Sequence, residues 1–234
     1  MNSPFSNGTF ELDKNQLAAT QVYDYLRSKI IKLEFKPGTI LSRPEMARFF
    51  NVSITPVRDA LLRLEDEGLI DILPQHATRV RAIDIDSARL AHFLRLTLEL
   101  EVARTLARQG SEDLLPRLRA LVDKQRACWD RKDLEGFVST DQEFHRELFC
   151  AAKLERLWQM VRGRSGNMDR LRRLHIPLNG KADAILHEHA DLVEAIAARS
   201  PERAESWVRQ HLGGTMSQLI ELRKLYPEYM MEKA

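Results

Sequence analysis

From Asp84 to the C-terminus the apolar residues recur only at helical spacing, and no stretch shows the two-residue alternation of a half-buried strand. Six amphipathic stretches follow one another, at about 86–109, 111–130, 133–152, 154–174, 180–199 and 201–225, with short connections between them. Such stretches bury their apolar stripes against one another, so the spacing predicts an antiparallel six-helix bundle over residues 84–234. Ser200-Pro201 gives the last stretch a cap and a first-turn proline.

The preceding chain follows another pattern. Residues 1–15 are polar and aperiodic and read as a flexible tail. Leu17, Val22, Leu26, Ile30 and Ile31 mark a first helix that ends before Lys36-Pro37-Gly38. Ser42-Arg43-Pro44-Glu45 has the spacing of a capping box and opens a second helix to about Phe50. After the turn at Asn51-Val52-Ser53, Ser53 or Thr55 caps a third helix with Pro56 in its first turn, and Gly68 stops it. Residues 69–73 and 79–83 are short apolar pieces on either side of Pro74-Gln75-His76-Ala77-Thr78, which predicts a β-hairpin. The fold class is therefore mainly α: a winged helix-turn-helix over residues 16–83, then the helical bundle.

Bulk charge selects no partner. The chain has 36 Lys+Arg against 34 Asp+Glu, a net charge of +2, and up to Ala82 the count is 11 against 10, so DNA contact has to be argued from placement. Cys128 and Cys150 have neither C-x-x-C nor metal-finger spacing, and the N-terminus lacks a basic flank followed by an apolar core. With no uncharged apolar run near the roughly 20 residues that span a bilayer, the expectation is a cytoplasmic protein without a membrane partner.

Residues 22–80, especially Pro37-Gly38, Leu41, Val52-Ser53, Pro56-Val57-Arg58-Asp59-Ala60-Leu61 and Leu64-Glu65-x-x-Gly68-Leu69, resemble the GntR family of bacterial transcription regulators. Arg95-x-x-x-Glu99, Asp141-x-x-x-His145, Glu188-His189 and His211 are similar to the all-helical FCD ligand-binding domain of its FadR subgroup. The resemblance implies a homodimer that binds a two-fold-related double-stranded operator and changes its affinity when a small carboxylate effector fills the helical domain. Three positions depart from the family pattern: Ile54 stands where arginine is common, Arg43 where an acidic residue is usual, and Ala77 where the wing carries glycine.

Arg58, one turn into the third helix, can reach a guanine edge or a phosphate, and Ser53 and Thr55 sit at the helix N-terminus, whose amides favour phosphate. The plainer role for Arg58 is pairing with Asp59 or Glu65. Arg43 and Arg48 on the second helix, with His76 and Arg79 in the wing, are candidates for phosphate or minor-groove contact.

Asp141 and His145 lie four apart on a stretch whose apolar stripe is Leu134, Phe137, Val138, Leu148 and Phe149, so both point inward. His189 sits among Ile185, Leu186, Leu192, Val193 and Ile196, whereas His187 turns toward Asp191 and Glu194. His211 follows Trp207 and Val208 by one turn. Three inward imidazoles and a carboxylate on three helices suit a divalent metal, zinc first, with nickel or another first-row ion as alternatives. The plain alternative is that each histidine hydrogen-bonds a backbone carbonyl and Asp141 pairs with one of them. Arg95 and Glu99 share an inward stripe with Ala91, Leu94, Leu98 and Val102 and make either a buried ion pair or a fork for an effector carboxylate oriented by Glu99. Other readings are a metal-dependent hydrolase with an accessory DNA module and a regulator with a purely structural ion; no catalytic residue can be named for the former. The basic stretch from Arg162 to Arg173 reads as a solvated helix face, and Trp129, Trp158 and Trp207 as core or interface anchors.

Overall fold

In the computed structural model, which describes residues 4–5, 9–73, 78–110, 113–178 and 180–231, helix α1 (Ala18–Ile31) buries the stripe Val22, Tyr23, Leu26 and Ile30. It packs on α3 (Ile54–Asp66), which buries Val57, Ala60, Leu61 and Leu64, and α2 (Arg43–Phe49) packs on α3 through Met46. The side chain of Ser42 makes no cap bond to α2, so the expected capping box does not form; the serine carbonyl takes the Met46 amide at 2.9 Å instead. Gly68 ends α3 with φ +69°, a left-handed conformation in which glycine carries no Cβ penalty.

The hairpin strands are β2 (Ile70–Ile72) and β3 (Thr78–Val80), and a third strand, β1 (Ile40–Leu41), adds to the other edge of β3 to give an antiparallel sheet of order β1-β3-β2. Two residues are too few to show periodicity, so β1 has no local sequence signature. His76 and Ala77 lie outside the described residues.

Packing sorts the chain into two units, and the division is not a single cut near residue 84. The first unit comprises Met1–Arg89, Arg164–Arg173 and Glu221–Ala234; the second comprises Leu90–Gly163 and Leu174–Ile220. Phe5 and Phe10, in the stretch read as a flexible tail, pack in the first unit. Phe5 is buried against Phe35 and Phe49, and Phe10 meets Tyr25 and Phe50 edge-on. Two aromatics in a polar segment bury enough surface to tie it down.

Helix α4 (Ile85–Gln109) leads into the second unit, followed by α5 (Leu114–Asp130), α6 (Leu134–Ala151) and α7 (Glu155–Arg162). After α8 (Gly166–His175) come α9 (Lys181–Ala197), α10 (Pro201–Ser217) and α11 (Leu219–Leu225). Asp133 caps α6 by accepting the Gly136 amide at 2.8 Å. Helix α5 packs on α6 and α9, and α9 on α10, around a core that includes Leu118, Phe144, Leu148, Trp158, Leu192 and Val208.

The described residues thus hold eight α-helices beyond Asp84, and a 3-10 turn at Pro227–Tyr229, where six helices are expected. The 154–174 stretch breaks between Gly163 and Gly166, residues whose poor helix propensity makes leaving the helix inexpensive. The 201–225 stretch breaks at Gln218, shortly after Gly213 and Gly214. Helix α8 also corrects the solvated-face reading of the basic stretch: Arg170 is fully buried, and its Nη1 and Nη2 donate to the Arg81 carbonyl at 2.8 Å and Asn167 Oδ1 at 2.9 Å. No helix among the described residues is long and apolar enough to cross a membrane.

Candidate metal centre

Three helices of the second unit each turn a polar residue into an apolar stripe. On α6, Asp141 and His145 lie beside Phe137, Phe144 and Leu148; His189 lies within α9 and His211 within α10. All four are buried, and one donor atom from each falls within 4.8 Å of the others. His211 Nε2 is 3.1 Å from His145 Nε2 and 3.2 Å from His189 Nε2. Asp141 brings Oδ1 to 3.8 Å from His189 Nε2 and Oδ2 to 4.0 Å from His145 Nε2. Phe144 stacks on the His189 ring with centroids 4.1 Å apart, which fixes the imidazole plane.

The opposite nitrogens decide what these atoms can bind. His145 Nδ1 lies 2.8 Å from Glu99 Oε2, His211 Nδ1 3.0 Å from Glu188 Oε2, and His189 Nδ1 2.9 Å from Gln125 Oε1. An ionised carboxylate only accepts. Gln125 donates its amide to the Phe137 carbonyl at 3.4 Å, which turns its own oxygen toward His189. The His189 and His211 contacts are hydrogen bonds, whereas His145 approaches Glu99 without hydrogen-bond geometry. Hydrogen on Nδ1 suits these oxygens, and in a neutral imidazole that tautomer directs the Nε2 lone pair at the common centre. Three lone pairs converging at hydrogen-bond distance repel unless a cation lies among them. With Asp141 beside them, the donor set fits a divalent first-row ion.

Electrostatics favours a neutral His145 and an ionised Glu99. Burial, reinforced by the charge of Arg95, pushes His145 below the usual histidine range against the pull of Glu99 and Asp141. Burial pushes Glu99 up, but Arg95 and His145 outweigh it and hold its carboxyl well below the ordinary carboxylate range. At Glu188 burial outweighs the Lys181 ammonium 3.8 Å away and leaves the carboxyl above the ordinary range.

Arg95 donates Nε to Glu99 Oε1 at 2.6 Å, and its buried Nη2 has no hydrogen-bond partner among the described residues. The pair is thus linked to the cluster through Glu99 and His145. His187, as its position on α9 implies, is exposed and meets Asp191 at 3.0 Å. Sequence reasoning missed Gln125 and Glu188 as partners of the imidazoles. The available signal was Gln125 occupying a stripe position after Leu118 and Val122, a polar residue where an apolar one is expected.

Candidate DNA-contacting residues lie apart from this cluster, in the first unit. Arg48, Ser53, Thr55, Arg58 and Arg79 are exposed, Arg43 is half-buried, and His76 is outside the described residues. Arg58 Nε is 3.8 Å from Asp59 Oδ1, and Arg79 Nε 3.5 Å from Asp71 Oδ2, both weak surface pairings.

Comparison with known proteins agrees with this two-part organisation. Residues 18–80 match the model of bacterial regulatory proteins, gntR family, and residues 90–214 match the FCD domain. The chain is 30% identical over 223 residues to the HTH-type transcriptional repressor RspR of Escherichia coli (strain K12), covering 95% of this chain and 98% of that one. It is 28% identical to the HTH-type transcriptional repressor NanR of Cronobacter sakazakii, over 84% of this chain and 83% of that one. Among solved structures, E. coli McbR/YncC has the same fold, with a TM-score of 0.73 and 21% identity over 90% of this chain and 99% of that one. A putative GntR regulator from Rhodococcus gives a TM-score of 0.72 and 22% identity over 87% and 97%.

Proposed function

Because this chain belongs to the gntR family of bacterial regulatory proteins and carries an FCD domain, a lineage of DNA-binding transcription regulators and not of enzymes, we propose that it is a cytoplasmic, metal-dependent sensor of a small carboxylate. In this reading two copies bind a two-fold-related operator through α3 and the wing, with half-sites about one helical turn apart. The effector changes how well the pair of winged units fits those half-sites.

The observation carrying the sensor half is the convergence of three Nε2 atoms and Asp141, with a side-chain oxygen within 3.0 Å of each opposite nitrogen. A bound divalent ion, zinc before nickel, would supply a Lewis-acidic point for an anion. The side chains set its charge. Glu99 is offset by Arg95 and Glu188 faces Lys181, so Asp141 is the ligand anion, and one unit of positive charge remains for a carboxylate. Arg95 Nη2 is a buried donor suited to donate to that carboxylate, since leaving it without an acceptor is costly.

Metal analysis after loading with zinc and with nickel tests the first step: stoichiometric ion in wild type and loss in His189→Ala are expected, and negligible wild-type content after both loadings defeats the proposal. Full burial of all four ligands favours one rival, a purely structural ion. In that case chelator lowers thermal stability, but no carboxylate raises the melting temperature of the loaded protein.

A further inference from the structure

Helix α3 opens on Ile54, whose side chain is 47% exposed although it is large, branched and apolar. It is not reserved for the core, because Val57, Ala60, Leu61 and Leu64 already fill that face of the helix. Its neighbours Ser53 and Thr55 are exposed hydroxyl residues, the Ser53 side chain makes no cap bond, and Arg58 one turn later has a 62% exposed side chain. In a helix-turn-helix the first residues of the second helix meet base edges on the major-groove floor. On that floor the edges present donors and acceptors that an aliphatic group cannot satisfy, and the thymine C5-methyl is the apolar contact in the code.

We infer that Ile54 is a specificity-determining residue that packs on a thymine methyl in each half-site. The inference rests on the DNA-binding reading of the first unit. A phosphate contact from Arg48 is available on any sequence, whereas Ile54 adds a preference for one base. Discrimination comes from both sides: thymine gains apolar contact, and any other base at that step has a polar edge desolvated without a partner.

The test uses the full chain. Duplexes containing a random stretch are selected on the purified protein, and the enriched site is remade with deoxyuridine replacing one thymine at a time. Affinities at fixed salt are then measured for wild type and Ile54→Ser, a substitution at a half-exposed position that leaves the core intact. The expected result is one thymine per half-site whose lost methyl weakens wild-type binding about fourfold, the value for one methyl-sized group, and leaves Ile54→Ser unaffected. A half-site without thymine, or deoxyuridine substitutions that affect both proteins equally, overturns the inference while DNA binding stands. Failure to enrich any duplex overturns the DNA-binding reading itself, and the inference with it.

Discussion

Gln125→Leu removes none of the four candidate ligands, yet under the proposed metal-bound reading the geometry makes it a severe perturbation. In wild type, Gln125 Oε1 lies 2.9 Å from His189 Nδ1 and keeps the proton there. Without that acceptor the imidazole is free to move its proton to Nε2, where His211 Nε2, 3.2 Å away, accepts it and the lone-pair repulsion is relieved. Cation binding must then return the proton to a buried Nδ1 with no acceptor, so the penalty falls on the bound state. An unsatisfied buried donor costs about 1–3 kcal/mol, which is roughly five- to 140-fold in a binding constant. That brackets the tenfold to hundredfold losses typical of outer-shell partners. Zinc affinity is measured by competition with a chromophoric chelator at fixed pH, with thermal unfolding of the metal-free proteins establishing that the variant folds. A folded Gln125→Leu protein that binds zinc within about twofold of wild type would refute the tautomer argument, since any real outer-shell role exceeds that margin.

Arg95→Lys keeps a positive charge beside Glu99 but loses the planar fork; carboxylate-induced stabilisation should disappear while metal content is retained, as read by thermal shift on loaded protein. Arg58→Ala should weaken operator binding by about 1–3 kcal/mol in a mobility-shift titration at fixed salt. Acid should destabilise the metal-free protein in two stages. His145 has a lowered folded pKa, so the unfolded chain takes up its proton first, and stability falls as pH drops from about 6.5 toward the folded value. Glu99 also has a lowered folded pKa; its contribution is present above about pH 4.3 and is lost as pH falls through its folded value. Urea midpoints measured from neutral to acid pH should decline accordingly, and a flat profile contradicts the burial argument.

The four residues of the candidate centre were legible because each breaks an otherwise apolar stripe at a position that helical spacing turns inward, as Asp141 and His145 do four residues apart on α6. The winged unit was legible for a similar reason: turn residues such as Gly68 and the change from helical spacing to short apolar pieces are local signals. What escaped depends on contacts between segments distant in sequence. Strand β1 exists because β3 offers it an edge, and Arg170 is buried because the Arg81 carbonyl and Asn167 receive it. Glu188 is next to His189 in sequence, but only the approach of α10 shows that it meets His211 rather than its neighbour.

An ion held at this centre would join α6, α9 and α10, whose histidines at 145 and 211 are separated by 66 positions. In effect it is a reversible cross-link closing a long loop, and it can form only after all three helices have docked. Metal supply would then influence how much of the protein survives proteolysis as well as how it answers its ligand, because the apo chain lacks the staple that draws these segments together.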